Sequence, residues 1–366
     1  MTIRKILFCL LAGMASGMAS GQENVDCADL QLYTLRHPIS GMTMSATNYG
    51  ARIVSLTPYG TDVVLGFDNL CDYVTNKQNL GALVGRYIGR IIKGHLEIDG
   101  VTYPLQLQGS GDCGHGGNPN FGGRVWDVIA HNDTVMTMRY ISPDGENGFP
   151  GRLTVDVTYT LSADALRIDY AATTDKPTVF NPTNHSFFNL SADHSKDVLS
   201  EVLWMDCDSL ALYDENKRVT GKLGCVKGTA FDFSTPHAIG DSIDADNFQL
   251  SVTKGYDHCY QLKNAHYAGG PLSKPVATLH DNGTGLTMEV YTTEPAMQIY
   301  TANGHKGNMT GKGGKVYYRR NAICFETMHY PDSPNQPQWP STLLRPGETF
   351  CSTTVFRFRQ SAVAVD

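Results

Sequence analysis

A histidine set among asparagines and a lone glutamate closing an apolar run are the residues of this chain best suited to moving protons. The histidine is His185, in Asn181-Pro-Thr-Asn-His-Ser-Phe-Phe-Asn-Leu190, and the glutamate is Glu326, in Cys324-Phe-Glu-Thr-Met-His-Tyr-Pro-Asp-Ser-Pro-Asn335. An imidazole exchanges protons near neutral pH, and a carboxylate inside an apolar stretch is costly to bury without a purpose. An arbitrary histidine is more often a satisfied core residue, and an arbitrary strand-end glutamate a rim ion pair. Here Asn184, Ser186 and Asn189 beside His185, and the position of Glu326 directly after Ala322-Ile-Cys-Phe325, favour function. Together the two offer a histidine acid and a glutamate base, a combination typically worth ~10²–10⁴-fold in rate. His115 is a third candidate, because it stands between glycines that let backbone approach a ligand closely.

The elements that must position these groups have a period of two. Leu153-Thr-Val-Asp-Val-Thr-Tyr-Thr-Leu161 alternates throughout and resumes at Leu166-Arg-Ile-Asp-Tyr170 after a short connection, which predicts a hairpin. Val276–Leu279 and Leu286–Val290 predict another around Asp281-Asn-Gly283, and Phe356-Arg-Phe358 a further strand. With 37 glycines and 17 prolines breaking the chain at short intervals, long amphipathic helices have no room, so the predicted fold is an all-β sandwich. No linker composition divides it, and one domain is expected over residues 22–366.

Residues 1–21 read as a cleaved signal peptide: Arg4-Lys5, an apolar stretch from Ile6, then small residues ending Ala19-Ser-Gly21. A periplasmic or extracellular location is therefore expected. No later stretch is apolar enough for membrane insertion. The balance of 29 basic and 36 acidic residues, a net charge of −7 without charge runs, argues against nucleic-acid binding. Nine cysteines show no Cys-x-x-Cys spacing, so mostly free thiols and no metal are expected. Gly311-Lys-Gly-Gly-Lys315 lacks the remainder of a phosphate loop and is expected to be a solvated hairpin tip.

The segments around His185 and Glu326 occur with Gly85-Arg-Tyr-Ile-Gly-Arg-Ile91, Gly114-His-Gly-Gly117, Ser142-Pro-Asp-Gly-Glu-Asn-Gly-Phe-Pro-Gly151 and Gly255-Tyr-Asp-His258. In order and spacing, from roughly Gly41 to Phe358, the set resembles the aldose 1-epimerase (galactose mutarotase) family. The resemblance implies a large β-sandwich of the galactose mutarotase type that interconverts α and β anomers of free aldohexoses such as galactose and glucose, without a cofactor. It implies Glu326 as base, His185 as acid and His115 near the ring oxygen, with Arg90, Asp257 and Gln298 holding sugar hydroxyls. Phe188 and Trp126 fit stacking on the sugar and packing in a core equally well. Four positions depart from the family pattern: Gly89 for Asn, Gly114 for Leu, Cys259 for Asn and Met328 for Gln.

Competing readings use the same residues differently. Glycoside hydrolysis would pair Asp257 with Glu326 and leave His185 idle. A sugar-phosphate epimerase would need several basic groups, where the motifs supply only Arg86 and Arg90. A non-catalytic carbohydrate-binding module would not need both His185 and Glu326. The expected partner is a small monosaccharide, and the expected assembly a monomer or weak dimer. A bell-shaped pH profile is expected, limited by Glu326 on the acid side and His185 on the alkaline side, with a nearby carboxylate raising the histidine.

Overall fold

Alternation of apolar with β-branched and polar residues over Leu153–Leu161 gives a strand whose odd-numbered positions are buried and whose even-numbered positions are half-buried. It pairs antiparallel with Ala165–Thr174, Leu161 opposite Leu166, as the predicted hairpin requires. The second predicted hairpin forms between Ala277–His280 and Leu286–Thr292, where Asp281 Oδ2 accepts from the Thr284 amide at 2.7 Å across the turn. The predicted C-terminal strand spans Phe350–Gln360 and joins the two hairpins, pairing with Leu286–Thr292 on one side and Ala165–Thr174 on the other. These features belong to a computed structural model that describes residues 25–76, 78–263 and 272–362. The predicted signal peptide lies outside the described residues.

The joined hairpins are the middle of a nine-stranded antiparallel sheet running in order from His237–Ala238 through Val202–Met205, Ala277–His280, Leu286–Thr292, Phe350–Gln360, Ala165–Thr174, Leu153–Leu161 and Val135–Ser142 to Asp127–His131. Against it lies a five-stranded sheet in the order Val219–Cys225, Cys207–Tyr213, Asp257–Leu262, Ala296–Tyr300 and Cys324–Met328. The core fills the space between them. Val157, Ile168, Met288, Val290, Phe356 and Phe358 of the first sheet and Tyr260, Met297, Ile299 and Phe325 of the second belong to one buried cluster. This is the all-β sandwich expected from the alternation, and the strands Ala296–Tyr300 and Cys324–Met328 of the smaller sheet turn only alternate residues, Met297, Ile299 and Phe325, into that core. Its other face is left for the site.

One expectation needs correction. Lys312, expected in a solvated tip, turns inward, its Nζ donating to the Val54 carbonyl at 2.8 Å and to Asp62 Oδ2 at 2.5 Å. The described cysteines are mostly free, as expected: Cys27 and Cys71 form a disulfide, while Cys113, Cys207, Cys225, Cys259, Cys324 and Cys351 are free.

Candidate active site

Register alone brings most of the site together. Gln298 stands opposite Cys259 on one neighbouring strand and Glu326 on the other, and Tyr300 stands opposite Asp257 and Cys324. Because side chains alternate across a strand, Asp257, Gln298, Tyr300, Cys324 and Glu326 share the face turned away from Met297, Ile299 and Phe325. This polar face floors a pocket of about 580 Å³, a size ordinary for a small ligand.

His185 comes from outside the sheet. It ends the short strand Thr183–His185, which pairs with Ala82–Val84, and Thr183 Oγ1 donates to the Thr327 carbonyl at 3.0 Å to tie that strand to the Glu326 strand. The polar neighbours that drew attention to His185 build its support. Asn181 Nδ2 donates to the His329 carbonyl, Asn184 Nδ2 to the Gly81 carbonyl, and Asn189 Nδ2 to the carbonyls of Lys196 and Asn321. Ser186 Oγ donates to Asn184 Oδ1 at 2.6 Å. Held this way, His185 places Nε2 3.4 Å from Glu326 Oε1 and Nδ1 3.6 Å from Cys324 Sγ.

His115 faces the same space, its ring centroid 6.1 Å from that of His185. Its backbone is left-handed at φ 52°, and its amide donates to the Gly89 carbonyl at 2.7 Å. The glycines beside it are required by contact: a Cβ on Gly116 would lie 2.2 Å from the Gly85 carbonyl oxygen, and one on Gly117 within 2.7 Å of Asn147. Asn147 Nδ2 donates to the carbonyls of Gly116 and Pro119. Arg86, counted in the sequence as a basic group of the site, is buried and donates instead to Ser142 Oγ and to the Pro150 and Pro143 carbonyls. The motif from Ser142 to Gly151 therefore braces the His115 loop.

Arg90, Asp257 and Gln298 all line the pocket, as the resemblance implied. Each is held by groups that sequence reading missed or misjudged. Arg90 Nη1 donates to Asp112 Oδ2 at 3.2 Å, and Asp112 is buried between Arg90, Arg218 and the Lys93 amide. Asp257 pairs through Oδ2 with Lys217, while its Oδ1 accepts from Gln298 Nε2 at 2.6 Å. Lys217 sits in a turn organised by Asp214, whose Oδ1 accepts from the Asn216 and Arg218 amides. Nothing in the local sequence Asp214-Glu-Asn-Lys217 marks it as more than a hairpin tip. Of the two readings open for Phe188 and Trp126, stacking or core, both residues take the second and are buried in the main core. Phe187 and Tyr300 line the pocket, with Phe187 stacked on His185 at 5.0 Å between ring centroids.

Comparison with known proteins agrees with this geometry. The family model described as aldose 1-epimerase matches residues 31–357. The chain belongs to the aldose 1-epimerase family. It is similar to human galactose mutarotase, 36% identical over 341 residues that cover 93% of this chain and 96% of the human one. It is 35% identical to the aldose 1-epimerase of Escherichia coli over 336 residues, 90% of this chain and 95% of that one. Among solved structures, an aldose epimerase homologue from C. elegans superposes with a TM-score of 0.81 at 25% identity, covering 91% of this chain and all of that one.

Two of the departures from the family pattern face the pocket of this aldose 1-epimerase family member: Gly89 and Met328 line it, and a Cβ on Gly89 would meet Pro331 Cβ at 3.2 Å. Cys259 is buried behind Gln298, and a Cβ on Gly114 would lie 2.7 Å from Gln108 Oε1.

The electrostatics of the site run opposite to the sequence expectation. Burial pushes the His185 imidazole down to about 3, with His115 adding to the shift. Burial also pushes the Glu326 carboxyl well above its ordinary value, with Asp257 adding and Lys217 opposing. His115 is likewise lowered to about 4 by burial. Burial works to raise Asp257 too, but Lys217 and the Gln298 donor outweigh it and hold that carboxylate below its usual value. Asp257 works to lift His185, but burial outweighs it, because removing both members of the pair from water disfavours charge on each. Burial thus favours a neutral carboxyl beside a neutral imidazole. One transfer across the 3.4 Å gap converts it to carboxylate and imidazolium with the same proton count.

Proposed function

We propose that this protein interconverts the α and β anomers of free aldohexoses, galactose and glucose among them, with Glu326 as base and His185 as acid. The observation that carries this reading is the close approach of His185 Nε2 to Glu326 Oε1, both groups nearly out of solvent on the floor of a sugar-sized pocket. In the charged form of the pair, Glu326 removes the proton from the C1 hydroxyl while His185 donates one to the ring oxygen. The C1–O5 bond breaks and leaves an open-chain aldehyde. Glu326 is then a carboxyl and His185 a neutral imidazole, the arrangement that burial already favours. After rotation about C1–C2 the roles reverse: Glu326 returns a proton to the carbonyl oxygen, His185 takes one from the C5 hydroxyl, and the ring closes on the other face. No proton need enter from water.

His115, with Nδ1 buried and unpaired, is assigned to the ring oxygen beside His185. Arg90, Asp257 and Gln298 are assigned to the sugar hydroxyls, with Lys217 keeping Asp257 ionised as an acceptor. Glycoside hydrolysis would use Asp257 and Glu326 and leave His185, 3.4 Å from Glu326, without a role. The decisive assay is polarimetry of freshly dissolved α-D-galactose, α-D-glucose and L-arabinose. The rotation should relax faster with protein than without, and no acceleration for any sugar would refute the reading.

Export is part of the same proposal. Removal of residues 1–21 would deliver the chain to an oxidising compartment, where a disulfide such as Cys27–Cys71 persists. N-terminal sequencing of the mature protein should begin at Gln22; an intact Met1 in the cytosolic fraction would refute it. All of the groups assigned here come from one chain, so a monomer or weak dimer suffices.

A further inference from the structure

We propose that His185, Cys324 and Glu326 also form a binding site for a soft divalent cation such as Zn²⁺ or Cd²⁺, and that the bound ion disables the proton-transfer pair. One atom from each residue, an imidazole nitrogen, a thiol sulfur and a carboxylate oxygen, lies within 4.8 Å of the other two. Thiolate, imidazole and carboxylate together are a zinc donor set, and the thiolate selects against Mg²⁺ and Ca²⁺.

Each of two donor pairs stands at the spacing of an ion's ligands. With Zn–S near ~2.3 Å and Zn–N near ~2.0–2.1 Å, neighbouring ligand atoms of a tetrahedral site stand roughly 3.3–3.6 Å apart. Cys324 Sγ is 3.6 Å from His185 Nδ1, and Glu326 Oε1 is 3.4 Å from Nε2. These contacts use different ring nitrogens, so an ion that takes one of them requires the more distant partner to close a gap of at most 4.8 Å. His185 and Glu326 line the pocket, from which water or a sugar hydroxyl would complete the shell.

The fold explains why the sequence hid this set. Cys324 and Glu326 are two residues apart on one strand and so share a face, a spacing that a search for Cys-x-x-Cys does not see, and His185 joins them from 139 residues away along the chain. Binding displaces any thiol and carboxyl protons and occupies the imidazole and carboxylate that the reaction needs. Sugar and cation would therefore exclude one another.

The test separates binding from inhibition, because only the inhibition rests on the proposed function. In a Cys225→Ala/Cys351→Ala background, which removes the exposed free thiols, Cd²⁺ is titrated by calorimetry while the ultraviolet thiolate-to-cadmium absorption is followed. One ion per chain should bind with that absorption, Mg²⁺ should not bind, and galactose should weaken the Cd²⁺ affinity. Adding Cys324→Ser, which keeps a hydrogen-bonding group beside His185 but loses the soft ligand, should remove the absorption and weaken binding at least ~10-fold, no less than losing an outer-shell partner costs. Cd²⁺ affinity unchanged by Cys324→Ser, or no ion bound at all, would overturn the site. In the polarimetric assay Zn²⁺ should slow the reaction competitively with sugar, and Cys324→Ser should raise the half-inhibiting concentration at least ~10-fold. Full activity with an ion bound would overturn the inhibitory role.

Discussion

Phe325 and Glu326 are neighbours on one strand and almost equally hidden, 1% and 3% exposed, yet they do opposite things. Phe325 points between the sheets and joins Phe188 and Ile299 in the core, where burial of an aromatic ring stabilises the sandwich. Glu326 points the other way, and burial shifts its proton affinity instead of adding stability. The same alternation separates Met297 and Ile299 from Gln298 and Tyr300. Ala296–Tyr300 and Cys324–Met328 are thus half core and half active site, and a one-residue register slip would exchange the two.

The largest effect should come from the site face. Glu326→Gln and His185→Asn should each reduce mutarotation by ~10²–10⁴-fold while circular dichroism and melting stay near wild type. A folded variant at wild-type rate would end the assignment of that residue. On the core face, Phe325→Ala should lower unfolding stability by ~3–5 kcal/mol, read by denaturant titration. The fraction still folded should keep a Michaelis constant close to wild type. If the variant instead kept its stability and lost sugar affinity, the two faces would not be separable. Smaller again should be Asp257→Asn and Lys217→Met, which remove charge-assisted contacts of the kind worth about 1.5–3 kcal/mol in all. Both should raise the Michaelis constant more than they lower turnover. An unchanged constant in both would move the sugar away from this wall of the pocket.

The core face was the more legible in sequence. Alternation over Leu153–Leu161 and Leu286–Thr292 predicted strands, pairing and an all-β sandwich, because a period of two is a direct consequence of burying one side of a strand. His185 and Glu326 were visible as polar groups in places where apolar ones were expected. Residues that hold the site from a distance were not. Lys217 and Asp112 reach it only through loop packing, and Arg86 and Asn147 act by bracing backbone carbonyls. Phe187 was missed because adjacent residues face opposite ways and the irregular stretch after His185 offers no period to tell which faces the sugar. The direction of the His185 shift was also illegible, since it depends on how completely both members of the pair are buried.

That pair supports the most direct test. The active species carries one proton shared between Glu326 and His185, so kcat/KM measured by polarimetry should hold a plateau bounded by two events. On the acid side it should fall only near the lowered His185 value of about 3, where the pair gains a second proton. On the alkaline side it should fall as Glu326, raised by burial, loses the shared proton. The alkaline limit is then set by the carboxyl and the acid limit by the histidine, the reverse of the sequence expectation. A rate that instead rises with pH through the neutral range and stays high would contradict the shared-proton pair, because it would mean that Glu326 works only after that proton has gone.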